Sequence, residues 1–95
     1  MHSKNKRPMD ADEREHVANV KSLSCGVCDQ SAPSEAHEIV QGQWFTSMPL
    51  CRDCHTGPHN GIHFLHRIWD VKKLDELKVL NNTIRRLYAR SATTA

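Results

Sequence analysis

The side chains of this chain that could do chemistry are four cysteines and a cluster of histidines. The cysteines form two C-x-x-C pairs, Cys25–Cys28 and Cys51–Cys54, with 22 residues between them. Each pair can place two thiolates on one metal ion, and two pairs complete the tetrahedral S₄ shell that is typical of structural zinc sites. The second pair leads directly into a segment that contains His55, His59 and His63. Because imidazoles serve as metal ligands and general bases, we expect a structural zinc site that holds a second, reactive cluster in place.

Two disulfides would also account for all four cysteines. The N-terminal segment 1–7 is polar and basic and no apolar stretch follows it, so it does not resemble a secretory signal peptide. We therefore expect a cytoplasmic protein, in a compartment where disulfides are rare. A redox-active C-x-x-C would need a surrounding βαβ pattern, which the sequence lacks. The pattern favours structural zinc over both alternatives.

Length and composition predict one small domain, and the order of its predicted elements, helix, hairpin and helix, places it in the α+β class. With 95 residues, of which 38% are hydrophobic and 5% aromatic, the chain can build only a thin core, and a metal is an expected stabiliser of such a core. Residues 1–10 are predicted to be a disordered basic N-terminus and residues 11–90 a single domain. Within that domain, an N-terminal helix precedes the zinc knuckles and ββα core at 25–63. A C-terminal helix at 70–90 follows, with Asp70 as its N-cap.

The predicted elements bring the histidines together. Apolar–polar stretches at 36–41 and 44–50 predict a β-hairpin, with His37 on its first strand. A short helix after the second cysteine pair should carry His55 and His59 at positions i and i+4, and therefore on one face. Placing His37 opposite them would give three nitrogen ligands and an open position for water, as metal-assisted hydrolysis requires.

Charge is distributed unevenly along the chain. Residues 25–63 carry one Lys/Arg and four Asp/Glu, whereas residues 64–95 carry seven Lys/Arg and three Asp/Glu. A basic flank next to a metal site suits a phosphodiester substrate, although a solvated helix face explains the same residues. The apolar stripe of the predicted helix 70–90 fits packing against the domain or a short coiled-coil seam. Its members are Val71, Leu74, Leu77, Leu80, Ile84, Leu87 and Tyr88. No apolar run is long enough to predict a membrane partner.

Three motifs resemble those of the HNH (His-Me finger, ββα-metal) endonucleases: C-x-x-C at 25–28, the strand segment at 37–39 (His-Glu-Ile) and L-C-x-x-C-H at 50–55. The chain is similar in particular to a phage-type subgroup related to the RecA-dependent recombination-enhancement nuclease, which shares the P-L-C stretch at 49–51 and G-x-H at 61–63. The resemblance implies a treble-clef-like ββα-metal domain and a DNA endonuclease. It also implies a structural zinc and a catalytic divalent metal such as Zn, Ni, Mn or Mg.

The resemblance, which covers about residues 11–66, assigns roles to the first strand in two ways. Aligned on Ile39, His37 occupies the metal-ligand position and Glu38 the general-base position, where the family has a histidine. Shifted by one residue, His37 becomes the base, and Ala36, which cannot coordinate a metal, falls in the ligand position. The basicity of histidine at neutral pH favours His37 as the base, and the alignment favours Glu38.

The remaining roles also follow from the resemblance. Thr46 stands where the middle family residue, usually Asn, is expected, and would brace the loop by hydrogen bonding. His55 matches the terminal metal ligand, His59 matches an additional ligand of colicin-type members, and His63 is expected to contact phosphate. The implied partners are DNA and a recombinase or another phage or host protein in a bacterial cytoplasm. The departures at Glu38 and Thr46 support a second hypothesis, a non-catalytic zinc module that binds nucleic acid or a protein partner. A third hypothesis is a structural zinc domain whose histidines are merely on the surface.

Overall fold

The chain folds into helices packed around a two-stranded antiparallel sheet in a computed structural model that describes residues 7–93. The α+β class predicted from the sequence is confirmed. The elements in chain order are α1 (Ala11–Lys21), β1 (Glu35–Glu38), β2 (Ser47–Leu50), α2 (Arg52–Thr56), α3 (Arg67–Val71) and α4 (Glu76–Thr93). Within the described residues, no helix is both long and apolar enough to cross a membrane.

The hairpin formed by β1 and β2 places His37 on the sheet. In its register His37 lies opposite Met48, and Glu38 lies opposite Ser47. The strands are shorter than the predicted stretches, because the chain between them turns at Gly42 and then forms a 3₁₀ turn at 44–46. Gly42 has φ 88°, a conformation in which a side chain would be strained. All four residues of β2 are buried, because α1 and α4 pack against this strand.

A capping box starts α1. The Asp10 carboxylate accepts a hydrogen bond from the Glu13 backbone N–H at 2.8 Å, and the Glu13 carboxylate accepts one from the Asp10 N–H at 2.9 Å. The Arg7 guanidinium donates to both oxygens of Glu13, and this contact lowers the pKa of Glu13. Residues 7–10, predicted to be disordered, therefore make defined contacts with α1. The same prediction for residues 1–6 lies outside the described residues.

The core surrounds the cysteines. Met48, Leu50, Trp69 and Val79 are buried against them. Trp69 is 1% exposed, and its indole N–H donates to the carbonyl of Cys54 at 3.1 Å. This hydrogen bond fixes α3 to the second cysteine pair, so the apolar core and the cysteine cluster form one unit.

Two basic side chains of the C-terminal segment form hydrogen bonds that stabilise the fold. The Lys72 ammonium donates to the carbonyl of Val27. The Arg86 guanidinium donates to the Ser24 carbonyl at 3.1 Å and to its hydroxyl at 2.9 Å. These two cations hold α3 and α4 to the first cysteine pair. Other basic side chains of the segment are exposed and remain candidates for contact with a polyanion: Arg67, Lys73, Lys78 and Arg85.

The predicted helix 70–90 is interrupted. The chain leaves α3 after Val71, and Lys73 adopts a left-handed conformation with φ 57°. The N-cap of α4 is Asp75, whose carboxylate accepts from the Lys78 N–H at 2.8 Å. Asp70, predicted to be the cap, lies inside α3 and pairs with His66 at 3.1 Å. The apolar pattern of the sequence continues from α3 into α4, and therefore does not predict the left-handed conformation of Lys73 between them.

The buried face of α4 also differs from the predicted apolar stripe. Val79 and Thr83 are almost fully buried, and the Thr83 hydroxyl donates to the Val79 carbonyl at 2.8 Å. Leu77 and Tyr88 are mostly exposed. A threonine can occupy a core position at little cost when its hydroxyl bonds to a carbonyl of its own helix. Because threonine is polar, a hydropathy pattern does not identify the face of α4 that is buried.

We expect Asp75→Ala to lower the free energy of unfolding by about 1 kcal/mol, because it removes the N-cap of α4. Asp70→Ala is the matched control, and should change stability by less than about 0.5 kcal/mol because it loses only an exposed pair with His66. Urea unfolding at a fixed free zinc concentration measures both. The reverse order of effects would show that a single helix begins at Asp70.

Candidate metal centres

The four cysteines, two from the segment between α1 and β1 and two from the start of α2, converge on one point. Their sulfur atoms all lie within 4.8 Å of one another, and the Sγ atoms of Cys28 and Cys51 are 3.6 Å apart. Sulfurs on a tetrahedral zinc with bonds of about 2.3 Å are about 3.8 Å apart, whereas a disulfide needs about 2.05 Å. All four cysteines are free. The cluster can therefore hold a metal ion such as zinc, and the disulfide alternative does not fit its geometry.

Backbone N–H groups prepare the cluster for thiolates. The Sγ of Cys25 accepts from the N–H groups of Val27 at 3.4 Å and Cys28 at 3.5 Å, and the Sγ of Cys51 accepts from the Cys54 N–H at 3.4 Å. Burial acts to raise the pKa of Cys25, but hydrogen bonds from the backbone N–H groups of Cys28, Cys51 and Val27 outweigh it and the pKa is lowered. Burial raises the pKa of Cys28 and of Cys54. A cation that holds all four thiolates would thus displace protons as it binds.

A second cluster consists of three histidines, His37, His55 and His63, which we call the histidine trio. Their ligand nitrogens all lie within 4.8 Å of one another. The ring centroids are 5.0, 5.0 and 5.2 Å apart. Three imidazoles bound to one tetrahedral ion through bonds of about 2.1 Å would have centroids about 5.2 Å apart. The trio therefore has the spacing that a single divalent ion needs.

The cysteine cluster positions two members of the trio. His55 lies one turn after Cys51 in α2, and its N–H donates to the Cys51 carbonyl at 2.9 Å. The turn that carries His63 is tied back to α2 because the Ile62 N–H donates to the Cys54 carbonyl at 2.9 Å. The third member, His37, is supplied by β1.

The histidine trio opens into a cavity of about 740 Å³. The cavity is also lined by seven other residues: Ala36, Glu38, Ile39, Gln41, Ile62, His66 and Glu76. Among these described lining residues there is no lysine or arginine. A cation on the trio would therefore supply the positive charge of the cavity, and it would be accessible to a small ligand or to a phosphate group.

His59 does not join the trio, and the helix predicted to carry it ends too early. Pro58 disfavours the helical conformation for the residue before it, and Gly57 is extended with ψ 146°. The chain therefore leaves α2 at Thr56, and His59 is exposed in the following turn. The structure brings His63 to the trio instead. The Gly57-Pro58 dipeptide is the sequence signal that could have excluded the i, i+4 pair.

Both general-base candidates, His37 and Glu38, are among the residues that line the cavity. Residues 37 and 38 would face opposite sides of a regular strand, but β1 ends at Glu38. One Glu38 oxygen accepts from the Gly42 N–H at 2.7 Å. Thr46 is not among the described lining residues. Its hydroxyl donates to the Gln43 carbonyl at 2.7 Å and thereby braces the loop between the strands.

The environment of His63 favours the neutral imidazole that binds metals. Burial, and then the neighbouring His37 and His55, hold the pKa of His63 below its usual value. Since the folded pKa is lowered, the unfolded chain binds this proton more readily as the pH falls through the usual histidine range. Acid therefore opposes both folding and metal binding at this residue.

Comparison of the chain with protein-family models, with curated proteins and with solved structures finds no match. A fold by itself does not define an activity, and function must here be inferred from the chemistry of the two clusters.

We expect Cys28→Ser to reduce the tightly bound zinc per chain and to destabilise the fold by about 3 kcal/mol or more, because it removes a ligand from a site that stabilises the core. His59→Ala is the control and should keep both properties. Elemental analysis after dialysis and urea unfolding are the measurements. Full zinc content and wild-type stability in Cys28→Ser would contradict the assignment of the cysteine cluster.

Proposed function

We propose that this protein is a metal-dependent DNA endonuclease of the HNH type, with structural zinc on the four cysteines and a catalytic divalent ion on the histidine trio. The proposal is supported above all by the convergence of three imidazoles at an open cavity next to a separate cysteine cluster. A non-catalytic zinc-binding module needs only the four cysteines. A second, solvent-accessible nitrogen site suits catalysis, because it leaves coordination positions for water and substrate.

The arrangement along the chain supports the ββα-metal, treble-clef-like part of the proposal. β1 and β2 form the hairpin, and α2 follows directly after the second strand. His37 lies on the first strand and His55 on the helix, as the HNH resemblance implies. His37 and His55 are 18 positions apart in the sequence, and the fold brings a nitrogen of each within 4.8 Å of the other.

We assign His37 as a ligand of the divalent ion and Glu38 as the general base. His37 is buried and its Nε2 is engaged by Glu76 at 2.6 Å, which suits a fixed ligand better than a mobile base. Glu38 lines the same cavity, and the Gly42 N–H fixes one of its oxygens. Glu38 would take a proton from the attacking water, whose oxygen bonds to phosphorus as the bond to the leaving 3′ oxygen breaks. A bound ion would supply Lewis-acid stabilisation of that leaving oxygen.

Electrostatics divide DNA binding between two regions. The described cavity lining has no lysine or arginine and includes the carboxylates Glu38 and Glu76, so a phosphate there depends on the bound ion. General affinity for DNA would come from the exposed basic residues of the C-terminal segment, and should fall with salt. A chain of this size buries little DNA by itself, so we propose that a recombinase or another protein partner supplies specificity.

One observation favours a second candidate function, a non-catalytic zinc module that binds nucleic acid or protein. The position of the family's base histidine is occupied by Glu38, and the hydrogen bond from Gly42 gives this residue a structural role in the loop. If that is its only role, the second candidate retains the fold and both metal clusters without hydrolysis.

We expect His63→Ala to abolish metal-dependent nicking of supercoiled plasmid, because two imidazoles bind a divalent ion far more weakly than three. His59→Ala is the matched control, four residues earlier and outside the trio, and should cleave at the wild-type rate. Both variants should keep the zinc of the cysteine cluster and the wild-type circular dichroism spectrum.

The two histidine variants must be purified identically, so that a contaminating nuclease would appear in both. Equal cleavage by His63→Ala and wild type, or loss of cleavage in His59→Ala alone, would overturn the assignment of the trio. No cleavage by the wild type with Zn, Ni, Co, Mn or Mg would favour the non-catalytic module.

We expect Glu38→Gln to lower the cleavage rate at least 100-fold while the divalent ion still binds to the trio, because the amide cannot accept the proton. His37→Ala should instead lose the ion itself. Single-turnover cleavage and metal binding, measured on the same preparations, separate the two roles. A mild effect of Glu38→Gln on cleavage would remove Glu38 from the mechanism.

A further inference from the structure

Two members of the histidine trio are each paired with a carboxylate. The Nε2 of His37 lies 2.6 Å from Oε2 of Glu76, and the Nδ1 of His55 lies 2.8 Å from Oε1 of Glu35. The His37 pair is the more enclosed, with side chains 7% and 35% exposed, against 19% and 47% for the His55 pair. These carboxylates must either bind a metal themselves or orient the imidazoles that do.

The distances favour orientation. Two ligand atoms bound to one tetrahedral ion through bonds of about 2.0 Å lie about 3.3 Å apart, because they are not bonded to each other. Separations of 2.6 and 2.8 Å are those of charge-assisted hydrogen bonds between N–H and a carboxylate. Each carboxylate therefore accepts a hydrogen bond from its histidine, and these distances do not match two ligands on one ion.

We propose that Glu76 and Glu35 are positioning residues of the second metal centre. Glu76 fixes the tautomer of His37 with its proton on Nε2, so that Nδ1 faces the ion. Glu35 fixes His55 with its proton on Nδ1, so that Nε2 faces the ion. A carboxylate behind a metal-binding histidine sets the ring orientation and increases its basicity as a ligand. This inference rests on the metal site of the proposed function and does not require that the protein cleaves DNA.

The role of Glu76 extends the site beyond the segment of HNH resemblance, which ends near residue 66. Glu76 is the first residue of α4. Its place is set by the Asp75 cap, by the burial of Val79 and by the bonds from Arg86 to Ser24. Docking of α4 and metal binding at the trio are therefore coupled, and a chain truncated before α4 would hold the second ion weakly.

Metal affinity tests the proposal without any nuclease assay. Full-length protein that already carries zinc on its cysteine cluster is titrated with Co²⁺ in competition with a chelator, and the visible absorption of the ion reports its geometry. The variants are Glu76→Gln and Glu35→Gln, with Asp70→Asn as control. Asp70 also pairs with a histidine, His66, at 3.1 Å, but that histidine lies outside the trio.

We expect Co²⁺ to bind about 10- to 100-fold more weakly to Glu76→Gln than to the wild type. The loss of affinity in Glu35→Gln should be smaller, because Glu35 is more exposed. At saturating Co²⁺ both variants should give the wild-type spectrum, and Asp70→Asn should bind normally. Unchanged affinity in Glu76→Gln overturns the proposal, while leaving a nuclease on the trio untouched. A changed spectrum in Glu76→Gln also overturns it, since that result would make Glu76 a direct ligand.

Discussion

Closure of the four cysteines into one cluster is the constraint on which the rest of the fold depends. The cluster joins two segments that are 22 residues apart and fixes the start of α2. The Cys54 carbonyl then accepts two hydrogen bonds, from the Ile62 N–H at 2.9 Å and from the Trp69 indole at 3.1 Å. Through this one carbonyl, the turn that carries His63 and the core of α3 are both attached to the cluster. A chain with so few aromatic residues has little other means of ordering these segments.

The two clusters differ in the chemistry they can support. The cysteine cluster is enclosed, and four sulfurs would fill a tetrahedral shell and leave no place for substrate. The histidine trio has three nitrogens next to a cavity, Glu76 and Glu35 are each paired with one of its rings, and Glu38 and Glu76 line the cavity. Imidazoles favour ions such as zinc, nickel, cobalt and manganese over magnesium, which prefers oxygen ligands. Ligand type and enclosure thus support the proposed division into a structural and a reactive site.

The sequence predicted the α+β class, the hairpin and the pairing of the cysteines, because C-x-x-C spacing and alternating strands are local patterns. It also indicated that His37 and His55 belong together. It failed where tertiary structure or one special residue decides the outcome. Pro58 ends α2 before His59, and the left-handed Lys73 divides the predicted C-terminal helix although the apolar pattern runs through it.

Residues that complete the site from a distance could not be predicted from spacing. His63 reaches the trio because its turn is bonded back to α2, and Glu76 reaches His37 across 39 positions of sequence. The role of the basic residues could not be predicted from the sequence for a similar reason. Lys72 and Arg86 bind backbone carbonyls of the first cysteine segment, and such contacts cannot be distinguished from a DNA-binding surface by charge alone.

The central claim is that the chain holds two metal centres, one made of sulfur and one of nitrogen. Anomalous X-ray diffraction from crystals grown with zinc tests it most directly. The account predicts two peaks per chain, one equidistant from the four Sγ atoms and one bound to nitrogens of His37, His55 and His63. A single peak on the cysteines, or a second ion held by His59 and not by His63, would contradict it.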